Sequence, residues 1–555
     1  MRFPHFPLGS AVCSLSLAFG LVAAPPVEAA APGITAATLS GSTSTFNLSA
    51  APSYTTQPDG MSIYSWGYGC TANSAASFAP AGINANAAGA KCPTMQVPGP
   101  TLIVNQGDTV TVTLTNNLPA AAGNTSILFP GFNVTASGGA NGLLTKEAQV
   151  GGTVTYTFVA NSVGTHAYYS GTQGDVQVEM GLYGAIIVLP TLSGGLPTGY
   201  SAWHLAQGAN QPDTCTALNK KPARASNPAQ PETDYRLAAA AYDNPGACYD
   251  REYLFQLSEV DPAIHQQVEA QKDQACTSST GCMVVKTQPY HPVYYVVNGR
   301  SMPDDMDPNY VSTYPHQPYN GNPHMHPGEL TLLRIIGQGH LQHPLHEHAN
   351  HVRLLARDGN LLLTQSGDSK LAGPLLFTTT TTPGQAMDGI FQFTAKGLNW
   401  DVYGHGVKNG QRVDSANCYP DANGYYTTAS STPAATTADN YYEWCGDHLK
   451  PLESKPFGQV GEGGPVTLPD ANIVVNGTWY GGSPYLGPDA TTRAVGPTPI
   501  PPAGTVGNDP GSEAGYAYMW HSHNEREITT NNIFPGGMMM MMLVDPWVYP
   551  INEAN

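Results

Sequence analysis

Residues 97–119 read VPGPTLIVNQGDTVTVTLTNNLP, and the second half of this stretch decides the fold class. Between residues 109 and 115, Val110, Val112 and Leu114 alternate with threonines. A period of two predicts a strand with one buried face and one solvent-facing face. The same rhythm returns between Gly, Pro and Asn-Gly breaks, and we predict further strands over residues 153–159, 185–189, 291–297, 329–336 and 352–356.

Helical patterns are scarce by comparison. Only residues 262–274, PAIHQQVEAQKDQ, have a convincing helical composition, and their short length indicates an insertion. The Thr-, Ala-, Pro- and Gly-rich stretches 427–439 and 482–515 are typical of surface loops. The chain is therefore predicted to be mainly β, built from sandwiches or small barrels.

Composition narrows the functional classes. The 555 residues include 48 Pro and 60 Gly, only 11% are charged, and the formal net charge is -18. An excess of acidic residues argues against binding to nucleic acid or to anionic lipid. Length alone suggests three to four domain-sized units at about 150 residues each, which is enough chain to bury real cores without structural metals.

The first thirty residues resemble a secretory signal, with Arg2, an apolar run over 11–24 and small residues around 27–29. No later stretch approaches the roughly 18 to 20 apolar residues of a membrane helix, so we expect export without a membrane span.

An oxidising compartment suits the eight cysteines that remain after the signal, and disulfides are favoured over metal ligation because no CxxC pair occurs. Nearest-neighbour pairing is one of the 105 pairings that eight cysteines allow; it would join Cys70 with Cys92, Cys215 with Cys248, Cys276 with Cys282, and Cys418 with Cys445.

Histidines are concentrated in two places. Seven of the sixteen that follow the signal fall within 28 residues, and two more lie in the sequence MWHSHNERE near the C-terminus. The pattern His-x-His occurs three times, at residues 324–326, 346–348 and 521–523. Because residues two apart on a strand project from the same face, each pair presents two imidazoles side by side.

Such pairs indicate a metal site. If two of these strands meet, they supply four nitrogen ligands, a set that suits copper, zinc, iron or nickel better than calcium or magnesium. We predict that His346, His348, His521 and His523 bind metal. Sequence spacing does not say on which face of a strand the remaining histidines lie. The additional candidates are therefore His324, His326, His340, His343 and His351.

Four patches of the sequence resemble the multicopper oxidase family. The segments 97–119 and GLYGAIIV (181–188) are similar to its first cupredoxin domain, HPLHEHANH (343–351) to its HPxHxHGH motif, and the C-terminal MWHSHNEREITTNNIFPGGMM to HCHxxxH followed by Gly-Met. The resemblance implies an all-β chain of two, or three, cupredoxin-like Greek-key β-sandwich domains with long loop insertions. It implies copper as cofactor, with His343 at a type 1 position and the two His-x-His pairs at type 2 and type 3 positions.

The sequence departs from the family pattern at six expected ligands. The four imidazoles of domain one are replaced, since LFPG (128–131) and YSG (169–171) stand where the family has two His-x-His motifs. Ser522 stands in place of the type 1 cysteine and Glu527 in place of its second histidine. The resemblance therefore implies a copper site without the thiolate of a blue centre, and Glu527 becomes a candidate carboxylate ligand.

From these positions we predict four parts of the chain: a signal peptide over 1–30, an N-terminal cupredoxin-like domain over 38–192, a linker or insertion with disulfides over 193–290, and a C-terminal domain over 291–548 that is interrupted by loops at about 405–515. The methionine run 538–542 continues into Leu543 and Val544 and is predicted to be an apolar core strand. Thioethers also suit copper(I), and Met538 could be an axial remnant.

The leading hypothesis is a secreted oxidoreductase, periplasmic or extracellular, that couples oxidation of a small reducing substrate to dioxygen and could complete its site across a homo-oligomer. The alternative is a non-catalytic copper-binding, storage or surface-assembly protein on the same scaffold. HSHNERE also fits the first cupin motif, but the cupin pattern needs a later histidine and none follows His523.

Overall fold

The computed structural model is mainly β. It describes residues 30–35, 43–71, 77–80, 92–191, 235–238, 240–244, 247–325, 329–365, 371–393, 407–408, 411–412, 482–485, 515–544 and 551. The strands of the N-terminal half are β1 Gly33–Thr35, β2 Thr43–Thr56, β3 Ser62–Cys70, β4 Ser77–Ala79, β5 Leu102–Asn105, β6 Thr109–Asn116, β7 Thr135–Gly138, β8 Ala140–Asn141, β9 Lys146–Glu147, β10 Thr153–Val159, β11 Gly164–Tyr169 and β12 Tyr183–Leu189. Those of the C-terminal half are β13 Arg251–Val260, β14 Tyr294–Val297, β15 His324–Met325, β16 Leu330–Gly337, β17 His343–Glu347, β18 Val352–Arg357, β19 Asn360–Leu361, β20 Leu375–Leu376, β21 Thr378–Thr381, β22 Ala386–Gln392, β23 Val407–Lys408, β24 Gln411–Arg412, β25 Gly482–Tyr485, β26 Gly515–Ser522 and β27 Met539–Val544.

Helices are short. The α-helices are α1 Gly174–Gln177 and α2 Pro262–Glu269, and two 3-10 turns cover Ala120–Ala122 and Asp304–Met306. Helix α2 begins where the sequence predicts, because Asp261 caps it by accepting a hydrogen bond from the backbone N–H of Ala263 and Pro262 occupies the first turn. It ends five residues earlier than the predicted stretch 262–274.

The N-terminal domain is a sandwich of two five-stranded sheets. One has the strand order β11-β12-β5-β1-β4 and the other β3-β2-β6-β10-β7. Strands β6 and β10 pair in antiparallel register, with Thr113 opposite Thr155. The alternating side chains of β6 divide as predicted: Val110, Val112 and Leu114 are fully buried, whereas the intervening threonines are half-buried.

The C-terminal domain is a second sandwich. Its seven-stranded sheet has the order β14-β13-β16-β22-β18-β19, with β20 beside β18, and its six-stranded sheet has the order β15-β27-β26-β17-β21, with β25 beside β26. Trp520 lies in the core between them, with its ring edge-to-face against Phe391 at 4.9 Å and against Phe255 at 6.4 Å. The all-β fold class is confirmed.

One segment differs from its predicted place. Residues 193–290 were expected to be a linker or insertion, but within them β13 is an inner strand of the seven-stranded sheet, paired with β14 and β16. Nine of its ten residues are buried, so the sequence REYLFQLSEV lacks the alternation by which the other strands are recognised.

The two sandwiches share a buried interface on the seven-stranded sheet. Apolar contact joins Ala167, Ala185 and Ile187 of the N-terminal domain to Leu254, Ile336 and Ala386. A polar contact joins them as well, because the carboxylate of Asp388 accepts hydrogen bonds from the hydroxyls of Thr165 and Tyr242. Arg334 lies 3.6 Å from the same carboxylate and donates to Glu252. These groups are almost fully buried, so the domain contact includes charge as well as apolar surface.

Two of the expected disulfides are present, Cys70–Cys92 and Cys276–Cys282, and Cys248 is disulfide-bonded as well. Cys215, Cys418 and Cys445 lie outside the described residues, as do the signal segment 1–29, His326 and nearly all of the loop stretches 427–439 and 482–515. In the described part of the chain, no helix is long and apolar enough to cross a membrane.

Candidate metal centre

Two distant strands bring the central His-x-His pairs together. Strands β17 and β26 are antiparallel neighbours, with His346 directly opposite His521. The ring of His346 lies 4.8 Å from that of His348, 5.6 Å from that of His521 and 4.9 Å from that of His523, measured between ring centroids. The ring of His348 lies 5.3 Å from that of His521. We call these four side chains the imidazole cluster.

Hydrogen bonds orient two of the rings. The Nδ1 atom of His346 lies 2.8 Å from the hydroxyl of Thr378 on β21, and the Nδ1 atom of His521 lies 2.7 Å from the backbone oxygen of Ser522. Each contact engages Nδ1 and leaves Nε2 of the ring directed elsewhere. The backbone of His348 is held too, because Trp520 donates its indole N–H to the carbonyl oxygen of His348.

The donor set fits a metal ion that prefers nitrogen. The Nε2 atoms of His348 and His521 are 3.2 Å apart, and two imidazole nitrogens bound to one ion at about 2 Å lie roughly 3 Å from each other. Nδ1 of His348 is buried and has no hydrogen-bond partner within the residues described. No three His, Cys, Asp or Glu side chains in the described ranges are already arranged around a metal position, so a further ring of the cluster has to turn to complete a site.

Three rings of the cluster, those of His346, His348 and His521, are uncharged at neutral pH. Burial, together with the neighbouring imidazoles, lowers the pKa of His346 to about 4 and that of His348 to about 3. Burial also lowers the pKa of His521. A neutral imidazole keeps the nitrogen lone pair that a metal ion requires. His523 is the most open member, with its side chain 53% exposed and 3.2 Å from Glu525.

His343 lies outside the cluster, in a buried contact with two carboxylates. Its Nδ1 is 2.9 Å from Glu527 and its Nε2 is 2.8 Å from Glu259. Both ring nitrogens can donate at once only in the protonated ring. Although burial disfavours that charge, the two hydrogen-bonded carboxylates raise the pKa of His343 to about 9.

Glu527 is likewise engaged. It accepts hydrogen bonds from His343, from the hydroxyl of Ser522 and from the amide of Asn524. The positions expected from the resemblance to be a type 1 site therefore form a hydrogen-bonded group in this structure. The ring nitrogens of His343 and the carboxylate of Glu527 are directed at each other and at these partners, and not at the imidazole cluster.

The remaining candidates are dispersed. His351 is separated from His346 by Phe377, whose ring touches both. His324 is buried on β15, two strands from His521. Glu347 turns to the opposite face of β17, as the alternation predicts; it accepts a hydrogen bond from Thr379, and burial raises its pKa to about 8.

Sequence reasoning missed a buried acidic network beside His343. The hydroxyl of Tyr290 lies 2.7 Å from Glu179 and 3.0 Å from Glu259. His340 donates its backbone N–H to Glu259, and its ring lies against Tyr290. A cavity of about 320 Å³ between the domains reaches His340 and is lined also by Tyr169, Asp175 and Gln338. Glu259 at the end of strand β13 is the residue in the sequence that could have pointed to this network, but β13 contains other polar residues and Glu259 does not stand out among them.

Multicopper oxidases recur in the comparisons with known proteins. Residues 90–193 match the family model described as multicopper oxidase. Laccase abr2 of Aspergillus fumigatus is 36% identical over 98 residues, which is 17% of this chain and 16% of that protein. The multicopper oxidase MCE of Talaromyces pinophilus is 34% identical over 98 residues, 17% of this chain and 15% of its own length. The matched region thus spans about one sixth of these relatives.

Among solved structures, the blue copper oxidase from Nitrosomonas europaea aligns with 90% of this chain and 85% of its own, at 14% sequence identity and a TM-score of 0.41. The copper nitrite reductase from the same organism aligns with 63% of this chain and 84% of its own, at 17% identity and a TM-score of 0.36.

Proposed function

We propose that the protein is a secreted, copper-dependent oxidoreductase without a type 1 blue centre. The proposal starts from the multicopper oxidase family, whose model matches residues 90–193 and whose cofactor is copper. Its activity would couple oxidation of a small reducing substrate to dioxygen. The observation that carries the proposal is the meeting of His346 and His348 with His521 and His523 across strands β17 and β26.

The imidazole cluster would hold the copper. When bound there, copper supplies one-electron oxidation and reduction chemistry. The chain contributes neutral nitrogen donors, and hydrogen bonds between His346 and Thr378 and from His521 to the backbone oxygen of Ser522 orient two of the rings. Such outer hydrogen bonds fix the tautomer of a ligating histidine and raise its affinity for the ion. The rings of His346 and His521 are buried and that of His348 is half-buried, which limits water around the ion, while exposed His523 leaves an approach for a small molecule.

Electron entry would differ from that of a blue oxidase. Ser522 has no thiolate, and its hydroxyl donates a hydrogen bond to the carboxylate of Glu527. A copper-thiolate bond is the source of blue copper properties, so the copper-loaded protein is expected to lack them. The protonated ring of His343 holds a positive charge between Glu259 and Glu527 where the resemblance implies a metal ion.

Metal analysis and oxygen consumption test the proposal together. The mature protein should bind copper(II) and consume oxygen with a reducing substrate such as copper(I), manganese(II) or a phenol. The double substitution His346→Ala with His348→Ala should abolish both copper(II) binding and turnover. Replacing exposed His291 with Ala is the matched control and should change neither.

Two other outcomes would revise the proposal. Tight copper binding without turnover, lost in the double variant, would favour storage or delivery of copper over catalysis. Full copper(II) binding in the double variant would remove the imidazole cluster as the site.

A further inference from the structure

Three methionines share a face of the six-stranded sheet with His521. Strands β26 and β27 pair so that Met541 lies opposite Met519 and Met539 lies opposite His521. Directly opposed residues on antiparallel strands point to the same side of a sheet, and residues two apart along one strand do so as well. We call Met519, Met539 and Met541 the thioether group.

The other residues of the same two strands face the core. Tyr518, Trp520, Met540 and Met542 belong to the apolar cluster between the two sheets, as does Met538 just before β27, and no member of the thioether group does. The sequence expectation that the methionine run is buried is confirmed for Met538, Met539, Met540 and Met542. Packing between the two sheets explains Met538, Met540 and Met542, whereas Met539 and Met541 lie outside that cluster.

The thioether group is compact and largely shielded. Met539 is 4% exposed, and Met519 and Met541 are half-buried. Met519 and Met541 are directly opposite, so their Cβ atoms are about 4.5–5.5 Å apart, and Met539 is a diagonal neighbour of Met519 at about 7–8 Å. Methionine has three rotatable bonds, so sulfurs at these separations can turn towards one point.

The chemistry of these donors selects the ion. Thioether sulfur is a soft, uncharged ligand that prefers copper(I) to copper(II), zinc or calcium. We propose that Met519, Met539 and Met541 form a binding site for copper(I) beside the imidazole cluster. The site uses side chains that the copper(II) centre does not, and its occupation does not require turnover at that centre.

A fourth sulfur nearby has a different role. The Sδ atom of Met306 lies 3.3 Å from the backbone N of Met541 and accepts its hydrogen bond. Met306 also packs against the core cluster. Its sulfur therefore accepts a backbone hydrogen bond from the part of β27 that does not pair with β15, and we leave Met306 outside the proposed site.

The experiment compares two faces of the same strand. The full mature chain is titrated with copper(I) under anaerobic conditions against a chromogenic copper(I) chelator, and with silver(I) as a redox-inert substitute. Met539→Leu with Met541→Leu should weaken copper(I) binding about tenfold or more, because ligands are lost. Met540→Leu with Met542→Leu is the matched control and should leave the affinity unchanged, since leucine nearly conserves the volume of methionine.

X-ray absorption of the unaltered protein loaded with copper(I) gives a second measurement that depends on no variant. Sulfur neighbours around the ion are expected, and a shell of nitrogen or oxygen alone would overturn the proposal. Equal copper(I) affinity in both double variants would overturn it too. Failure here is distinguishable from failure of the proposed function, because copper(II) binding is tested separately by His346→Ala with His348→Ala and does not use the methionines.

Discussion

Replacing His343 with Gln should remove a pH-dependent contribution to the stability of the C-terminal domain. The protonated ring bridges Glu259 and Glu527, and all three side chains are buried. A pKa raised from 6.5 to about 9 corresponds to roughly 3 kcal/mol of stabilisation, at about 1.36 kcal/mol for each pKa unit.

The direction of the pH dependence follows from the raised pKa. Below about pH 6.5 the ring is protonated in both the folded and the unfolded chain, so the stabilisation is fully present. As the pH rises from 6.5 through about 9, the unfolded chain loses the proton first and the stabilisation disappears. The contribution of His343 to the free energy of unfolding of the metal-free protein should therefore fall by roughly 3 kcal/mol across this window.

Urea unfolding at a series of pH values between 6 and 10 measures this decline. His343→Gln keeps a polar side chain but cannot carry the charge, so the difference in stability between this variant and the unaltered protein should be largest at pH 6 and should shrink as the pH rises through about 9. His291→Gln, at an exposed site, should retain the slope of the unaltered protein. An unchanged slope in His343→Gln would refute the assignment of the bound proton to this ring.

Three further predictions concern the metal centre and the core. Thr378→Val should weaken copper(II) binding about 10–100-fold in a competition titration, because the hydrogen bond to His346 is lost while the side-chain shape is kept. Thr380→Val on the same strand serves as the control. Equal losses of affinity in the two variants would contradict a role of Thr378 in positioning His346. The copper(II)-loaded protein should show no intense blue absorption band, and such a band would contradict the absence of a thiolate ligand at Ser522. Trp520→Ala should lower the free energy of unfolding by about 3–5 kcal/mol, because the side chain fills the core between Phe255 and Phe391; a loss below about 1 kcal/mol in chemical denaturation would show that the core does not depend on it.

The sequence predicts elements whose signal is local. Strand β6 is recognisable because its period of two depends only on its own residues, and the same holds for β10. Strand β13 is not recognisable in this way, because burial on both faces removes the alternation.

In the candidate site, too, the local motifs are predictable from the sequence and the contacts between distant residues are not. Two His-x-His motifs predict paired imidazoles on strands, but the sequence does not state that β17 and β26 are neighbours or that Thr378 lies beside His346. The contacts of His343 are still harder to predict from the sequence, since Glu259 precedes it by 84 residues and Glu527 follows it by 184. Resemblance gives the residue positions, whereas the hydrogen bonds that those residues make depend on the tertiary structure.

The contact between Asp388, Thr165 and Tyr242 bears on how the molecule can be divided for study. A fragment that ends after the first sandwich would take Thr165 away and leave Asp388 and Arg334 of the second half open to water. Neither half expressed alone is therefore a suitable smaller target for crystallisation. Proteolytic trimming should remove loops far from the contact between Asp388, Thr165 and Tyr242.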